Sequence, residues 1–403
     1  MANILISGAG IAGPALAYWL STSGHDVTVV ERADAVRPGG QAVDLRGAGR
    51  TVVERMGVMD RVRSVALDQR GVAWVDARGR ITARMPVDAF EGEGIISEIE
   101  VLRDDLAHVL HDATRARVEY VSGDTVTDLC QDDDGVDVTF EHAPPRRFAL
   151  VIGADGLYSP IRRLAFGGAD AGLHPLGCAM AWFSAPPTDL GGWYLMHNAP
   201  GGRVASLRPG RTPAATKAGL GLRVDPSTAL PRDVDGQRAL LSRAFAGVGW
   251  KAPMLVDAMA AASDFAFTAV AQVRLPRWSR GRVALVGDAA ACPTPLTGLG
   301  TSVALVQAYV LAGELARARG DRGVDFGAAF DRYERVARPY VTTAQELPPG
   351  GVNGYAPRSA LAIRLRTASM RAMTHWPMRP ILERQFAKAG DIALPDYALC
   401  QAG

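Results

Sequence analysis

The sequence predicts an α/β protein with an inserted antiparallel sheet and a helical C-terminal region. Three observations predict it. A buried strand, a helix and a second buried strand open the chain. Short apolar runs punctuated by Pro and Gly fill its middle. A buried strand followed by a long helical pattern returns after residue 280. With 403 residues the chain is long enough for two domains sharing an interface.

In order, residues 3–7 read as a buried strand, 11–22 as a helix and 26–30 as a second strand, a β-α-β unit with tight connections. Residues 48–62 have a helical pattern. Residues 72–76 and 81–85 read as a hairpin, and 103–113 as a helix. Strand-like runs follow at 117–121, 125–130 and 136–140, then a very apolar one at 148–152. The middle carries β-like runs at 177–183, 193–197, 203–208 and 219–224. A strand at 283–286 and a helix at 302–317 come next. The expected division is 1–170 and 277–340 for the first domain, 171–276 for the inserted sheet, and 341–403 for the helical end.

Composition narrows the function classes. The chain is 48% hydrophobic and 21% charged, as soluble globular proteins are. Its formal net charge of +2 gives no general attraction to nucleic acid. Cys130, Cys178, Cys292 and Cys400 form no CxxC pair, so reduced thiols are expected rather than zinc or disulfides. No histidine cluster suggests a bound metal. The N-terminus has no basic region and meets Gly8 at once, unlike a signal peptide. No apolar run is long enough to span a membrane. A cytoplasmic protein is the expectation.

Three segments carry chemistry. Gly8-Ala9-Gly10-Ile11-Ala12-Gly13 follows a strand and opens a helix. In such a turn the first glycine permits the sharp bend. The second lets the backbone approach a pyrophosphate, and the third lets helix and strand pack closely. The helix N-terminus then stabilises phosphate charge. Glu31, at the end of the second strand, can accept from both ribose hydroxyls, with Arg32 beside it. These features make the first domain Rossmann-like, without separating FAD from NAD.

The second segment runs Val151-Ile-Gly-Ala-Asp155-Gly156-Leu-Tyr-Ser159-Pro-Ile-Arg162, where Ser159 can cap a helix. The third runs Gly287-Asp288-Ala-Ala-Ala-Cys-Pro-Thr-Pro295-Leu-Thr-Gly298-Leu299-Gly300. Asp288 is placed to bond a ribityl hydroxyl. The helix opened by Gly298 and Gly300 has free N–H groups that can face the electron-rich edge of a reduced flavin.

In this order the three segments resemble the flavoprotein aromatic hydroxylase family, which includes p-hydroxybenzoate hydroxylase and the tetracycline-inactivating monooxygenases. The resemblance spans about residues 3–340. Gly39-Gly40-Gln-Ala-Val-Asp44-Leu45 and Arg103-Asp-Asp-Leu106 are most similar to the tetracycline-oxidising branch. The matching Asp and Arg contact FAD there, which implies the same role for Asp44 and Arg103. The implied cofactor set is Gly8, Gly10, Ala12, Gly13, Glu31, Arg32, Asp44, Arg103, Asp155, Gly156, Asp288, Pro295, Gly298, Leu299 and Gly300.

The resemblance implies an FAD-dependent monooxygenase that takes electrons from NAD(P)H, with NADPH favoured, and uses O2. Oxygen adds at flavin C4a, and the hydroperoxide hydroxylates a small aromatic or polyketide-like molecule. Binding of NAD(P)H is implied near Asp155-Gly156. The cofactor carries the chemistry, so no protein group is singled out as catalytic. The alternatives are a flavoprotein reductase or desaturase on the same scaffold and a non-catalytic ligand-binding flavoprotein. The Trp-x-Trp-x-Ile-Pro signature of flavin halogenases is absent from the sequence.

Four positions depart from the family pattern. Ala291 stands where His is usual, Leu299 where Gln or Lys is frequent, Ser302 for Asn, and Gln307 for an acid. They make the flavin edge more apolar. The substrate is expected between the inserted sheet and the flavin ring. Met180, Trp182, Tyr194, Met196, His197 and Arg223 lie on the strands of that sheet, and alternate members would face the pocket. Arg358 to Lys388 is cationic, with Arg364, Arg366, Arg371, Arg379, Arg384 and Lys388 against Glu383. It reads as a bridging helix with a solvated basic face rather than a membrane-surface helix. Pro377 and Pro380 would break it.

Overall fold

The computed structural model describes the chain except residues 35–39, 93, 169–170, 213–214, 321–322, 373–389, 391 and 400–403. Strands and helices are numbered along the chain.

The first large sheet has six strands in the order β17-β18-β11-β1-β2-β7. These are β1 (Asn3–Ser7), β2 (Asp26–Glu31), β7 (Glu119–Ser122), β11 (Leu150–Gly153), β17 (Ser279–Arg280) and β18 (Val283–Leu285). β1 pairs parallel with both β2 and β11, and β11 with β18. Ile4, Leu5 and Ile6 are fully buried, which is why the central strand reads as an unbroken apolar run. Helix α1 (Ala12–Thr22) is buried along Ala12–Leu20 and packs against the long helix α9 (Gly300–Arg317). A helix apolar on every side belongs inside a layered core.

Two expected elements are split. The 48–62 helix is α2 (Gly47–Arg55) and α3 (Met59–Ser64). Gly57, at φ +70°, turns the chain between them. The 148–152 strand divides at Ala149. Phe148 ends β10 (Arg146–Phe148), which joins β8 (Val126–Gln131) and β9 (Val136–Phe140) in a separate sheet. A small pair, β3 (Ala42–Asp44) and β6 (Glu100–Leu102), precedes α4 (Arg103–Asp112).

The second large sheet has seven strands in the order β16-β12-β15-β14-β13-β4-β5. They are β4 (Gly71–Val75), β5 (Ile81–Pro86), β12 (Leu173–Ala185), β13 (Trp193–Ala199), β14 (Arg203–Pro209), β15 (Thr216–Arg223) and β16 (Ala266–Val273). The sheet is therefore not confined to 171–276. The early hairpin β4–β5 joins it through a parallel β4–β13 pairing, because Val72, Trp74 and Met85 are buried with Met196 and Val204. Helices α6 (Val234–Phe245) and α7 (Ala252–Ala261), not read from the sequence, cover the other face. There Leu241, Phe245, Leu255 and Met259 pack on Ala181, Phe183, Leu207 and Leu220.

The short helices α5 (Pro160–Phe166) and α8 (Asp288–Ala291) follow β11 and β18. The C-terminal part carries α10 (Phe326–Ala344), α11 (Gly351–Tyr355) and α12 (Ala360–Ala372). Helix α12 lies on β5 and β13. Its basic face is not all solvated. Arg366 turns inward over Trp74, 5.1 Å from the ring centroid, and donates to Asn198 Oδ1 at 2.7 Å. Pro377, Arg379, Pro380, Glu383, Arg384, Lys388 and Cys400 lie outside the described residues. Among the described residues no helix is long and apolar enough to cross a membrane, no metal-binding cluster occurs, and the three cysteines are free thiols.

Candidate active site

The glycine loop sits where β1 ends. Gly8 has φ +107° and donates from N–H to Val30 O at 2.7 Å. A Cβ there would lie 2.6 Å from Ala154 O, and one on Gly13 would lie 1.9 Å from Gly8 O. Both positions therefore require glycine. Gly10 faces the Arg103 guanidinium, whose Nη2 would be 3.0 Å from an added Cβ. The resemblance placed Arg103 here, and spacing alone did not. Glu31 accepts from Ala9 N–H at 2.8 Å and Ala33 N–H at 3.0 Å, so its carboxylate stands beside the loop. Ala12 begins α1, and Arg32 is exposed.

The second segment is built as its capping residue suggests. Ser159 Oγ accepts from Arg162 N–H at 2.9 Å. Asp155 Oδ2 accepts from Ser7 Oγ at 3.3 Å and Ile161 N–H at 3.0 Å. Its Oδ1 is buried with no hydrogen-bond partner among the described residues. Burial pushes the Asp155 carboxyl above its ordinary pKa, against those hydrogen bonds. Gly156, at φ +85°, opens onto space. The Arg162 guanidinium is buried and donates to Leu157 O at 2.6 Å and Ala289 O at 3.1 Å, fastening this segment to the third.

In that third segment Gly287 donates from N–H to Gln307 Oε1 at 2.8 Å. An amide here supplies the acceptor without burying a charge, which accounts for the departure at 307. Burial raises the Asp288 pKa, while Cys292, Arg103 and Arg162 pull it down. Residues Pro295–Thr297 form a single 3₁₀ turn. Gly298 follows in the left-handed region, and buried Leu299 leads into α9, whose first turn, from Gly300, has no side-chain cap. Asp44 reaches the same place. Its Oδ2 would be 3.1 Å from a Cβ on Gly298, while Oδ1 accepts from Ser97 N–H at 2.8 Å. Ser302 Oγ donates to Arg46 O at 3.0 Å. Its small side chain sits against Gly49, so α2 and α9 approach closely there.

The seven-stranded sheet turns one face toward this loop. Met180 and Trp182 cluster with Leu296, Val352 and Tyr355, and Tyr194 and Met196 lie on the same side. Arg223 stands at the rim, donating to Asn353 Oδ1 at 2.7 Å. His197 does not share this face. It is buried on the side of α7, with its ring 6.0 Å from that of Trp250 and Nδ1 3.0 Å from Val75 O. The two-residue alternation of β13 puts it opposite Met196. Sequence reasoning also passed over Arg46, Glu100, Arg208 and Tyr355. The first two stand close to Asp44 and Arg103 in sequence, which was the available signal. Arg208 and Tyr355 carried none.

The FAD binding domain family matches residues 1–346. The chain is also 36% identical over 388 residues to the FAD-dependent monooxygenase asL6 of Sarocladium schorii, covering 90% of each. This chain belongs to the FAD-dependent monooxygenases. The monooxygenase is 42% identical over 364 residues to an uncharacterised protein of Mycobacterium tuberculosis, covering 89% of this chain and 95% of that one. It superposes on the tetracycline destructase Tet(55) with a TM-score of 0.80 and 34% identity, over 98% of each chain.

The residues present fit FAD. Gly10 presents bare backbone beside the Arg103 guanidinium and Gly156 opens onto space, Asp155 Oδ1 is an orphaned buried acceptor, and α9 begins uncapped beside Asp44.

Proposed function

We propose that this monooxygenase uses NAD(P)H, with NADPH favoured, and O2 to hydroxylate a small aromatic or polyketide-like molecule. The carrying observation is the arrangement around Gly298. An uncapped helix start and the half-buried Asp44 carboxylate lie beside a sheet face lined by Met180, Trp182 and Tyr194. The 34% identity to a tetracycline destructase supports the polyketide-like class.

In this reading residues 1–170 and 277–340, apart from the β4–β5 hairpin, hold FAD. Gly8, Gly10, Ala12 and Gly13 with Arg103 take the pyrophosphate, and Glu31 with Arg32 beside it takes the ribose. Asp155, Gly156 and Asp288 hold the middle of the cofactor and, at Gly156, the approach of NAD(P)H. Asp44, Pro295, Gly298, Leu299 and Gly300 frame the ring. When bound, FAD supplies the electron transfer and the activation of O2. The N–H groups of Gly300, Thr301 and Ser302 stabilise negative charge at the ring edge. Leu299 and Ala291 keep water from that edge, so oxygen reaches the substrate rather than being released as H2O2. The seven-stranded sheet orients the substrate through Met180, Trp182 and Tyr194, with Arg223 holding the rim.

The test is a screen of FAD-loaded protein against phenols, polyketides and tetracyclines. NADPH oxidation that accelerates with one compound, whose product gains one oxygen mass, is the expected result. Stimulated NADPH consumption that yields only a reduced or desaturated product overturns the hydroxylation reading.

A further inference from the structure

The sheet face assigned to the substrate has two unlike ends. One is apolar, formed by Met180, Trp182, Leu296 and Val352. The other buries charge between the sheet and the β3–β6 pair. Arg208, on β14, lies over Tyr194, with its guanidinium carbon 4.6 Å from the ring centroid. Glu100 stands opposite Asp44 in the β3–β6 register. A single oxygen of Glu100 accepts from both Arg208 Nη2 and Gln69 Nε2. The two charged side chains are only 12% and 6% exposed. Arg208 Nη2 also reaches Gln69 Oε1 at 3.4 Å, while its Nε is buried without a partner among the described residues.

A buried guanidinium beside an aromatic ring would ordinarily be a strong partner for a ring carboxylate, which it can grip through two parallel hydrogen bonds. Here an internal carboxylate already occupies it. A second carboxylate would meet Glu100 and Asp44 at low dielectric, with no spare positive charge on Arg208 to offset the repulsion. An uncharged carbonyl, hydroxyl or amide meets no such repulsion, and the Arg208 Nε–H is a donor still to be satisfied. We infer that Glu100, by neutralising Arg208, makes this end of the sheet face select an uncharged oxygen-bearing ring over a ring carboxylate. The inference rests on the assignment of this face to the substrate.

The groups facing Glu100 are Arg208 from β14, Gln69 ahead of β4, and Asp44 and Arg46 from the β3 segment. Burial pushes the Glu100 carboxyl up to about 7, aided by Asp44 and opposed by Arg208 and Arg46. Protonating it leaves the charge of Arg208 uncompensated, so acid favours anionic ligands in the wild-type protein.

Benzamide and benzoate, which match in shape and differ in charge, are the probes. Their binding to FAD-loaded protein is read as a perturbation of the flavin absorbance, which requires neither NADPH nor O2. Wild type at pH 8 is expected to bind benzamide at least tenfold more tightly than benzoate. Glu100→Gln is expected to reverse the preference by a similar factor. If that variant does not retain FAD, wild type at pH 8 and pH 6 gives the same contrast, with the benzoate-to-benzamide affinity ratio rising toward acid. Equal binding of the two probes by wild type, an unchanged preference in Glu100→Gln, a pH-independent ratio, or no binding of either probe overturns the inference. Because turnover is not measured, a failed hydroxylation assay and a failed charge preference are separate results.

Discussion

Gly13→Ala is the sharpest perturbation of the cofactor cradle. An added Cβ would lie 1.9 Å from Gly8 O and 3.4 Å from the Ile6 side chain. Ordinary contact requires roughly 1.6 Å more separation, since non-bonded atoms approach optimally at about 3.5 Å. The first turn of α1 and the glycine loop must therefore move apart, and both are backbone. Alanine's helix propensity returns about 1 kcal/mol, which is smaller than the roughly 1–3 kcal/mol typical of overpacking. The larger effect falls on the ligand. Two misdirected N–H groups on a pyrophosphate, at roughly 1.5–3 kcal/mol each, weaken FAD binding by about 10²–10⁴-fold. Gly327→Ala, in the first turn of α10 and away from the cofactor cradle, is the control, because the nearest atom to its Cβ is Asp325 Oδ1 at 3.6 Å. Fluorescence titration of the apoproteins with FAD measures both. Gly327→Ala should bind FAD as tightly as the parent protein. A Gly13→Ala protein that is folded by circular dichroism and binds FAD as well as Gly327→Ala would refute the steric argument.

Other perturbations reach separate parts of the molecule. Arg162→Met leaves the carbonyls of Leu157 and Ala289 without their buried donor. Urea denaturation should show a loss of about 3 kcal/mol, since hydrogen bonds to a charged group contribute roughly 1.5–3 kcal/mol each. Gly221→Ala drives a Cβ to 2.4 Å from the Tyr355 hydroxyl. It should cost about 1–3 kcal/mol by overpacking, most of it recovered by adding Tyr355→Leu. The raised pKa of Asp288 comes first from burial, and a bound hydroxyl donating to it favours the ionised form. FAD binding should therefore release a proton. Affinity should rise as pH increases through that raised value, and Asp288→Asn should flatten the dependence.

The parallel half of the fold was legible because its signals are local. The buried runs 3–7 and 26–30 and the glycine loop between them lie within one stretch of chain, so periodicity and turn chemistry sufficed. The Ser159 cap was readable for the same reason, since its partner is Arg162 N–H. The seven-stranded sheet was only half readable. Its central strands read as short apolar runs bounded by Pro and Gly, but the pairing of β4 with β13 joins residues 122 positions apart, Gly71 with Trp193, and no local pattern encodes that partner. Helices α6 and α7 were missed in a Pro- and Gly-rich stretch where short runs resembled strands. Within the site, Asp44 and Arg103 required family resemblance, because an acid or a base alone in a sequence is usually a surface residue. His197 shows the limit of residue type as a guide. It is polar and lies on an expected pocket strand, yet register puts it against Trp250. Glu100 and Arg208 were invisible singly, since their meaning arises only from burial against each other across two sheets.

The most direct test is turnover under ¹⁸O2 with NADPH and a compound that stimulates NADPH oxidation, followed by mass spectrometry of the product. One ¹⁸O atom per product molecule is the expected result. Product formed with oxygen from water, or with no oxygen gained, would contradict it.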